Sequence, residues 1–301
     1  EFTCVFFFLF IFYKIFITFK FQKKTSVIFS IFIFLTPLIF IDLSYFNVSF
    51  LNNIALNYKT FYSLRFPRPI ISNLFLFSFV LLIIRFYLQE EANLKLILLS
   101  TILMAFSLHI FFYHFIFESF LLFFIYLIKF RYKIFDFIKQ NFKYHIYFIS
   151  IILLSILIFQ YQIFLSEPDY LQRLGLIEIN YEQKKILIKY LINFFTRFEF
   201  LLLFFICGFI FLLNNNKALN TFYLLFISTI ISAIFFIVVY NKGIDYYHFF
   251  NWILTSGLLY LILSLIFIFN KYFLSNIDKN KLIVLQIFFG LLFIIYFNFS
   301  V

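Results

Sequence analysis

Apolar residues run along this chain in long, nearly unbroken stretches, and polar residues gather in short clusters between them. Runs of about 16 or more apolar residues are the length of helices that cross a bilayer, not of strands in a soluble domain. The pattern predicts ten crossings: Cys4–Phe19, Val27–Ile41, Ile70–Leu88, Leu96–Phe112, Phe115–Ile128, Ile146–Phe164, Phe198–Leu213, Thr221–Tyr240, Trp252–Phe269 and Leu282–Phe297. The expected fold is all-α, a polytopic transmembrane helical bundle of about ten spans forming a single integral membrane domain.

Two segments depart from simple crossings. Leu96–Phe130 is about 35 residues of apolar sequence, roughly 52 Å as one helix, which is too long to cross a ~30 Å hydrocarbon core once. It is expected to fold into a helical hairpin with its tip near Tyr113. In Ser166–Arg197, the residues Ile186, Leu187, Tyr190, Leu191 and Phe194 recur at helical spacing opposite Gln183, Lys184, Lys185 and Lys189. That pattern predicts an outer amphipathic helix lying on the membrane surface.

Composition agrees with the pattern. The chain is 65% hydrophobic, which excludes a soluble globular domain, and its mean hydropathy is +1.04. Its 58 phenylalanines beside only 5 glycines have the look of codon drift in an AT-rich genome, so no single Phe carries functional weight. Cys4 and Cys207 both sit in apolar runs, which argues against a disulfide framework. The chain begins at Glu1 and enters apolar sequence at once, so a missing N-terminal segment is expected.

Charge sets the expected orientation. With Glu1 outside, fourteen basic residues fall on the cytoplasmic side, among them Lys129, Arg131, Lys133, Lys139 and Lys143 in KFRYKIFDFIKQNFK, and nine fall outside. The positive-inside rule then places Lys133 and Lys279 in the cytoplasm and Lys59 and Lys185 outside. The same rule, with attraction to anionic lipid, accounts for the net charge of +11. Nucleic acid is excluded as a partner, because the basic residues are spread over short loops and form no stripe. The expected setting is the bacterial inner membrane, with membrane lipid as the first partner.

Candidate chemistry lies at the outer ends of the spans. Intramembrane ionisable groups are rare enough to count as site candidates, which singles out His109, His114 and Glu118 in the hairpin. Glu118 follows His114 by one helical turn and could orient its imidazole, or the three could mark a polar interfacial turn. In RFPRP, Arg65 and Arg68 are set by Pro67 and Pro69 just ahead of a span, where they suit a phosphate or lipid headgroups equally. Asp169 in SEPDYLQR is either a site carboxylate or a helix cap paired with Arg173. Asp245 and His248 in KGIDYYHFFNW could hold a sugar, a phosphate or a cation, or belong to a solvated loop with an aromatic belt. No metal-ligand spacing, Walker loop, HExxH, GxSxG, CxxC or GxGxxG is present, so no metal or other cofactor is named.

An apolar hairpin leading into a KFRYK-type basic loop, and an outer R-x-P-x-P segment leading into ISNLFLFSFVLLIIRF, resemble the polytopic GT-C glycosyltransferases over about Ser63–Ile152. The resemblance implies an enzyme that takes a sugar from a polyprenyl-phosphate donor on the outer face. It implies supporting roles for Arg65, Arg68 and Asp245, with Lys242 nearby. The family's acidic motif follows its first span, and this chain starts ahead of what would be the second, so its catalytic base is expected in the missing segment. The alternative is a lipid-linked-oligosaccharide flippase or small-anion transporter, which would carry ionisable groups deep in its spans.

Overall fold

The computed structural model describes residues 2–43, 70–89, 93–166, 180–196, 201, 205, 217–239, 259–260 and 262–270. These residues are helical apart from short turns, with no strand among them. The helices are α1 Phe2–Thr18, α2 Lys23–Leu43, α3 Ile70–Leu88, α4 Leu94–Ile110 and α5 Phe112–Phe130. They continue with α6 Ile134–Gln140, α7 Phe142–Leu165, α8 Tyr181–Phe195 and α9 Lys217–Val239, and residues 262–270 are also helical. Among the described residues three helical stretches are long and apolar enough to cross a membrane: Ile70–Leu88, Phe112–Gln140 and Phe142–Leu165. Thr3–Thr18, Leu94–Ile110 and Asn220–Ser232 are shorter apolar helices. The chain is an integral membrane protein. The expected span Leu282–Phe297 lies outside the described residues, as does Phe198–Leu213 apart from residues 201 and 205.

The long apolar run does break in two, at Phe111, two residues before the expected tip. Phe111 is extended (φ −155°, ψ 93°) and serves both helices. Its N–H donates to the Ser107 carbonyl at 2.8 Å, and its own carbonyl accepts from the His114 N–H at 2.9 Å. One residue thus satisfies backbone groups that two helix ends would otherwise leave open. The helices run back alongside each other: Ser107 meets Glu118, and farther from the tip Met104 meets Ser119.

The hairpin is the centre of the bundle. α3 and α4 pack on each other, α5 fills the angle between α4, α3 and α9, and α1 packs on both α3 and α2. Phe12, Phe16, Phe77, Phe79, Phe86, Phe117 and Phe226 are buried in one continuous core. Many buried hydroxyls are met within their own helices four residues back, as with Ser30 on Ser26, Thr101 on Ile97 and Thr229 on Leu225. Such small, self-satisfied residues let apolar helices approach closely without stranding a polar group. α7 stands at the edge of the bundle against α4, with only Ser155 and Phe159 buried. Its outward face, including Leu153, Leu157 and Phe164, is apolar and exposed, as suits a helix bathed in lipid. The expected amphipathic helix is present as α8, beside α9.

Several chain ends meet at the open end of the hairpin. α1 stops in a Schellman turn, with Phe21 N–H on the Phe16 carbonyl at 3.2 Å and Lys20 N–H on Ile17 at 2.9 Å. Phe21 stacks on Phe16, completing that motif with an apolar contact, and Lys20 takes the left-handed conformation (φ 63°) usually left to glycine. Phe19 reaches Phe222 of α9 and Phe267. Lys129 at the end of α5 donates to the Phe86 carbonyl and, at 2.7 Å, to the Gln89 carbonyl, and sits over the Phe86 ring. It closes the C-terminus of α3 with a cation where the helix dipole favours one.

Replacing Lys129 by Met should therefore lower stability by about 1–3 kcal/mol, the usual value of charge-assisted hydrogen bonds. Unfolding of the detergent-solubilised protein measures it. Unchanged stability would mean the carbonyls of α3 find other donors at no cost.

Candidate functional site

The tip of the hairpin separates its two histidines. His109 lies in the last turn of α4 and faces α7, while His114 lies in the first turn of α5 and is buried toward α3. Five other residues expected in the site, Arg65, Arg68, Asp169, Asp245 and His248, lie outside the described residues. Among the described residues no cluster of three or more His, Cys, Asp and Glu could hold a metal.

Both ring nitrogens of His109 are engaged. Nδ1 is 2.9 Å from Gln162 Oε1, and Nε2 is 3.0 Å from Ser155 Oγ. Ser155 in turn donates to the Ala105 carbonyl at 3.1 Å, four residues before His109 on α4. The proton inventory follows. With the Ser155 hydrogen on Ala105, Nε2 must carry a proton to donate to Ser155. Nδ1 then donates to Gln162, which makes the ring a cation, or accepts from a turned Gln162 amide, which leaves it neutral. Phe159 of α7 lies edge-to-face with His109 at 5.9 Å and parallel to Phe112 at 5.7 Å, clamping the tip from the side. An imidazole fixed on two sides and only partly exposed is a preorganised group. It can face an anion as a positive charge or pass a proton along the Ser155 hydroxyl.

His114 and Glu118 stand one turn apart on α5, as expected, and both are fully buried. The bonds that hold them come from two different helices. The backbone of Ser72 in α3 is the hydrogen-bonding group at the His114 ring, and Phe111 meets that ring edge-to-face at 4.7 Å. Glu118 Oε1 accepts from Ser107 Oγ of α4 at 2.9 Å. Its Oε2 has no hydrogen-bond partner among the described residues. Tyr260, whose ring is parallel to Phe117 at 5.9 Å, is also fully buried and lies within electrostatic reach of Glu118. Its hydroxyl likewise has no partner among the described residues. The carboxyl thus has one fixed oxygen and one open oxygen, an arrangement that can hold a proton or receive a ligand hydroxyl.

Two polar groups therefore share the hairpin without forming one pocket. His109 with Ser155 and Gln162 belongs to the α4–α7 seam, and His114, Glu118 and Ser107 belong to the interior. A separate open cleft lies toward the other end of the hairpin, lined by Leu94, Tyr126, His145 and their neighbours. Ser107, Ser155 and Gln162 escape a sequence reading because each meets its partner across helices, and Tyr260 because only the fold brings it near Glu118. The only signal was a polar residue inside an apolar run, which most serines in this chain share. The chain matches no protein-family model, no curated protein and no solved structure.

Replacing Ser107 by Ala would leave Glu118 with both oxygens open in a dry interior. The expected loss is about 1–3 kcal/mol, recovered in large part by adding Glu118→Leu, since removing both partners spares the cost of an orphaned group. A double-mutant cycle in thermal or denaturant unfolding reads the difference. Additive losses would show that the two side chains do not depend on each other.

Proposed function

We propose that this protein is a GT-C-like glycosyltransferase of about ten spans in the bacterial inner membrane, moving a sugar from a polyprenyl-phosphate donor on the outer face. The observation that carries this reading is His109, held on both ring nitrogens by α7 at the tip of the hairpin. A polyprenyl tail lying between helices brings its phosphate to the ends of the spans. Leaving of that phosphate is helped most by groups already aimed at the developing charge. His109 is such a group, and the chain stretches adjoining this end carry the others. Arg65 and Arg68 precede the first residue of α3, whose Ser72 adjoins His114, and Asp169 follows the end of α7. The acceptor also needs a general base. The described residues supply no carboxylate at the tip surface for that role.

A second reading is favoured by Glu118. A carboxyl with an open oxygen inside an apolar hairpin is what a flippase for lipid-linked oligosaccharides or a small-anion transporter would carry along its path. The two readings differ in what happens to the donor, which is consumed in one and only moved in the other.

Proteoliposomes containing the full chain and a panel of polyprenyl-phosphate sugars should release free polyprenyl phosphate as sugar reaches an acceptor. His109→Ala should slow that release about 100-fold, in the range seen when one preorganised charge-stabilising group is removed. Helical content by circular dichroism should not change. Movement of a labelled donor across the bilayer without its consumption, abolished by Glu118→Gln, would replace the enzymatic reading by the transport one.

A further inference from the structure

The cleft at the open end of the hairpin has a polar atom in its wall that the fold leaves unmatched. The walls include Leu94, Ile97 and Leu98 of α4, Tyr126 of α5, and His145 and Phe148 of α7, and the space between them is about 230 Å³. No Lys, Arg, Asp or Glu lines it among the described residues. His145 is fixed on its other sides. Its Nδ1 lies 2.9 Å from the Asn141 carbonyl, one turn back on α7, and because a carbonyl only accepts, Nδ1 carries the hydrogen. Tyr126 and Phe137 meet the ring edge-to-face at 6.0 and 5.7 Å, and Phe137 in turn stacks on Phe130 at 3.8 Å. The other ring nitrogen, Nε2, is buried and has no hydrogen-bond partner among the described residues. Leaving a buried polar atom open is costly, and most such atoms in native proteins are matched by protein, water or ligand.

We propose that this cleft receives the hydroxyl end of a neutral alcohol from the membrane, with the hydroxyl hydrogen-bonded to His145 Nε2. A hydroxyl both donates and accepts, so it serves Nε2 whether that atom bears a lone pair or a proton. An ammonium group only donates and an ether oxygen only accepts. Walls without a charged side chain give an ionised headgroup no counterpart, and their apolar residues suit a hydrocarbon body. The volume admits one small ring or the end of a longer chain, less than the pockets of ~300–1,000 Å³ that enclose whole ligands. The cleft lies at the opening turns of α4 and α7, and α7 turns an apolar face outward to lipid, which makes the bilayer the source of the alcohol. This inference is independent of the sugar-transfer reading, since the cleft lies at the other end of the hairpin from His109.

The test uses the full chain, delipidated in a neutral detergent and carrying nitrogen-labelled histidine, titrated with phenol or with toluene, which differ only by hydroxyl for methyl. The chain has 4 histidines, and the His145 resonances are assigned by their loss in His145→Phe. Binding is read by saturation-transfer NMR. Phenol should shift the Nε2 resonance saturably and bind about tenfold more tightly than toluene, the worth of one hydrogen bond to a buried acceptor. Decyl alcohol should displace phenol, and glycerol, which has the hydroxyls without the apolar body, should not. His145→Phe should make phenol and toluene equal. Leu98→Trp fills the cleft from the α4 wall while leaving His145 in place, and should abolish the binding of both with helical content unchanged. Equal binding of toluene by the unaltered chain, an Nε2 resonance unmoved by phenol, a stronger hold on glycerol than on decyl alcohol, or phenol binding undiminished by Leu98→Trp would each overturn the proposal.

Discussion

Hydrocarbon offers no hydrogen bonds, so a chain that turns inside or near it must satisfy its own backbone at the turn. Phe111 meets that constraint alone, giving its N–H to the helix before it and its carbonyl to the helix after it. Ser107 then does double duty. Its carbonyl takes the Phe111 N–H, and its hydroxyl donates to Glu118 across the hairpin. A turn with no glycine or proline is held by one extended residue and one buried polar pair.

Other features of the bundle follow from that turn. Folding back at Phe111 sends His109 toward α7 and His114 toward α3, so two residues five apart in sequence serve different seams. The same reversal returns the end of α5 to the end of α3, where Lys129 closes the open carbonyls. The hairpin therefore has two chemically distinct ends. The tip carries a fixed imidazole, and the open end carries the Lys129 ammonium on the carbonyls of α3. Between them lies an apolar core whose hydroxyls are mostly satisfied within their own helices; Glu118 Oε2, the Tyr260 hydroxyl and the Ser228 hydroxyl are buried without a hydrogen-bond partner among the described residues.

What the sequence shows and hides has a physical reason in each case. α3 matches the span expected at Ile70–Leu88, where Pro69 precedes the apolar run and a polar cluster follows Leu88 in the sequence. The need for a break in Leu96–Phe130 was readable from length alone. Its place was readable to within two residues, near Tyr113, because His109, His114 and Glu118 mark the turn; the exact residue was not, since no glycine or proline stands beside Phe111. Helical spacing put His114 and Glu118 on one face correctly, yet the partner of Glu118 is eleven residues away on another helix. The partners of His109 are more distant still, 46 and 53 residues along the chain. Periodicity reports which face of a helix is apolar, and it does not report which helix that face will meet. Lys129, counted in the sequence only for orientation, also closes the C-terminus of α3 by bonding two of its carbonyls.

The reversal at Phe111 can be measured directly in a background where Cys4 and Cys207 are replaced by Ser. Single cysteines at Lys95, Lys133 and Phe112 are exposed in sealed vesicles to a membrane-impermeant thiol reagent. A hairpin requires positions 95 and 133 to react from the same face of the vesicle and position 112 to be closed to reagent on that face. Reaction of positions 95 and 133 from opposite faces would mean that the segment crosses once, and the hairpin would have to be given up.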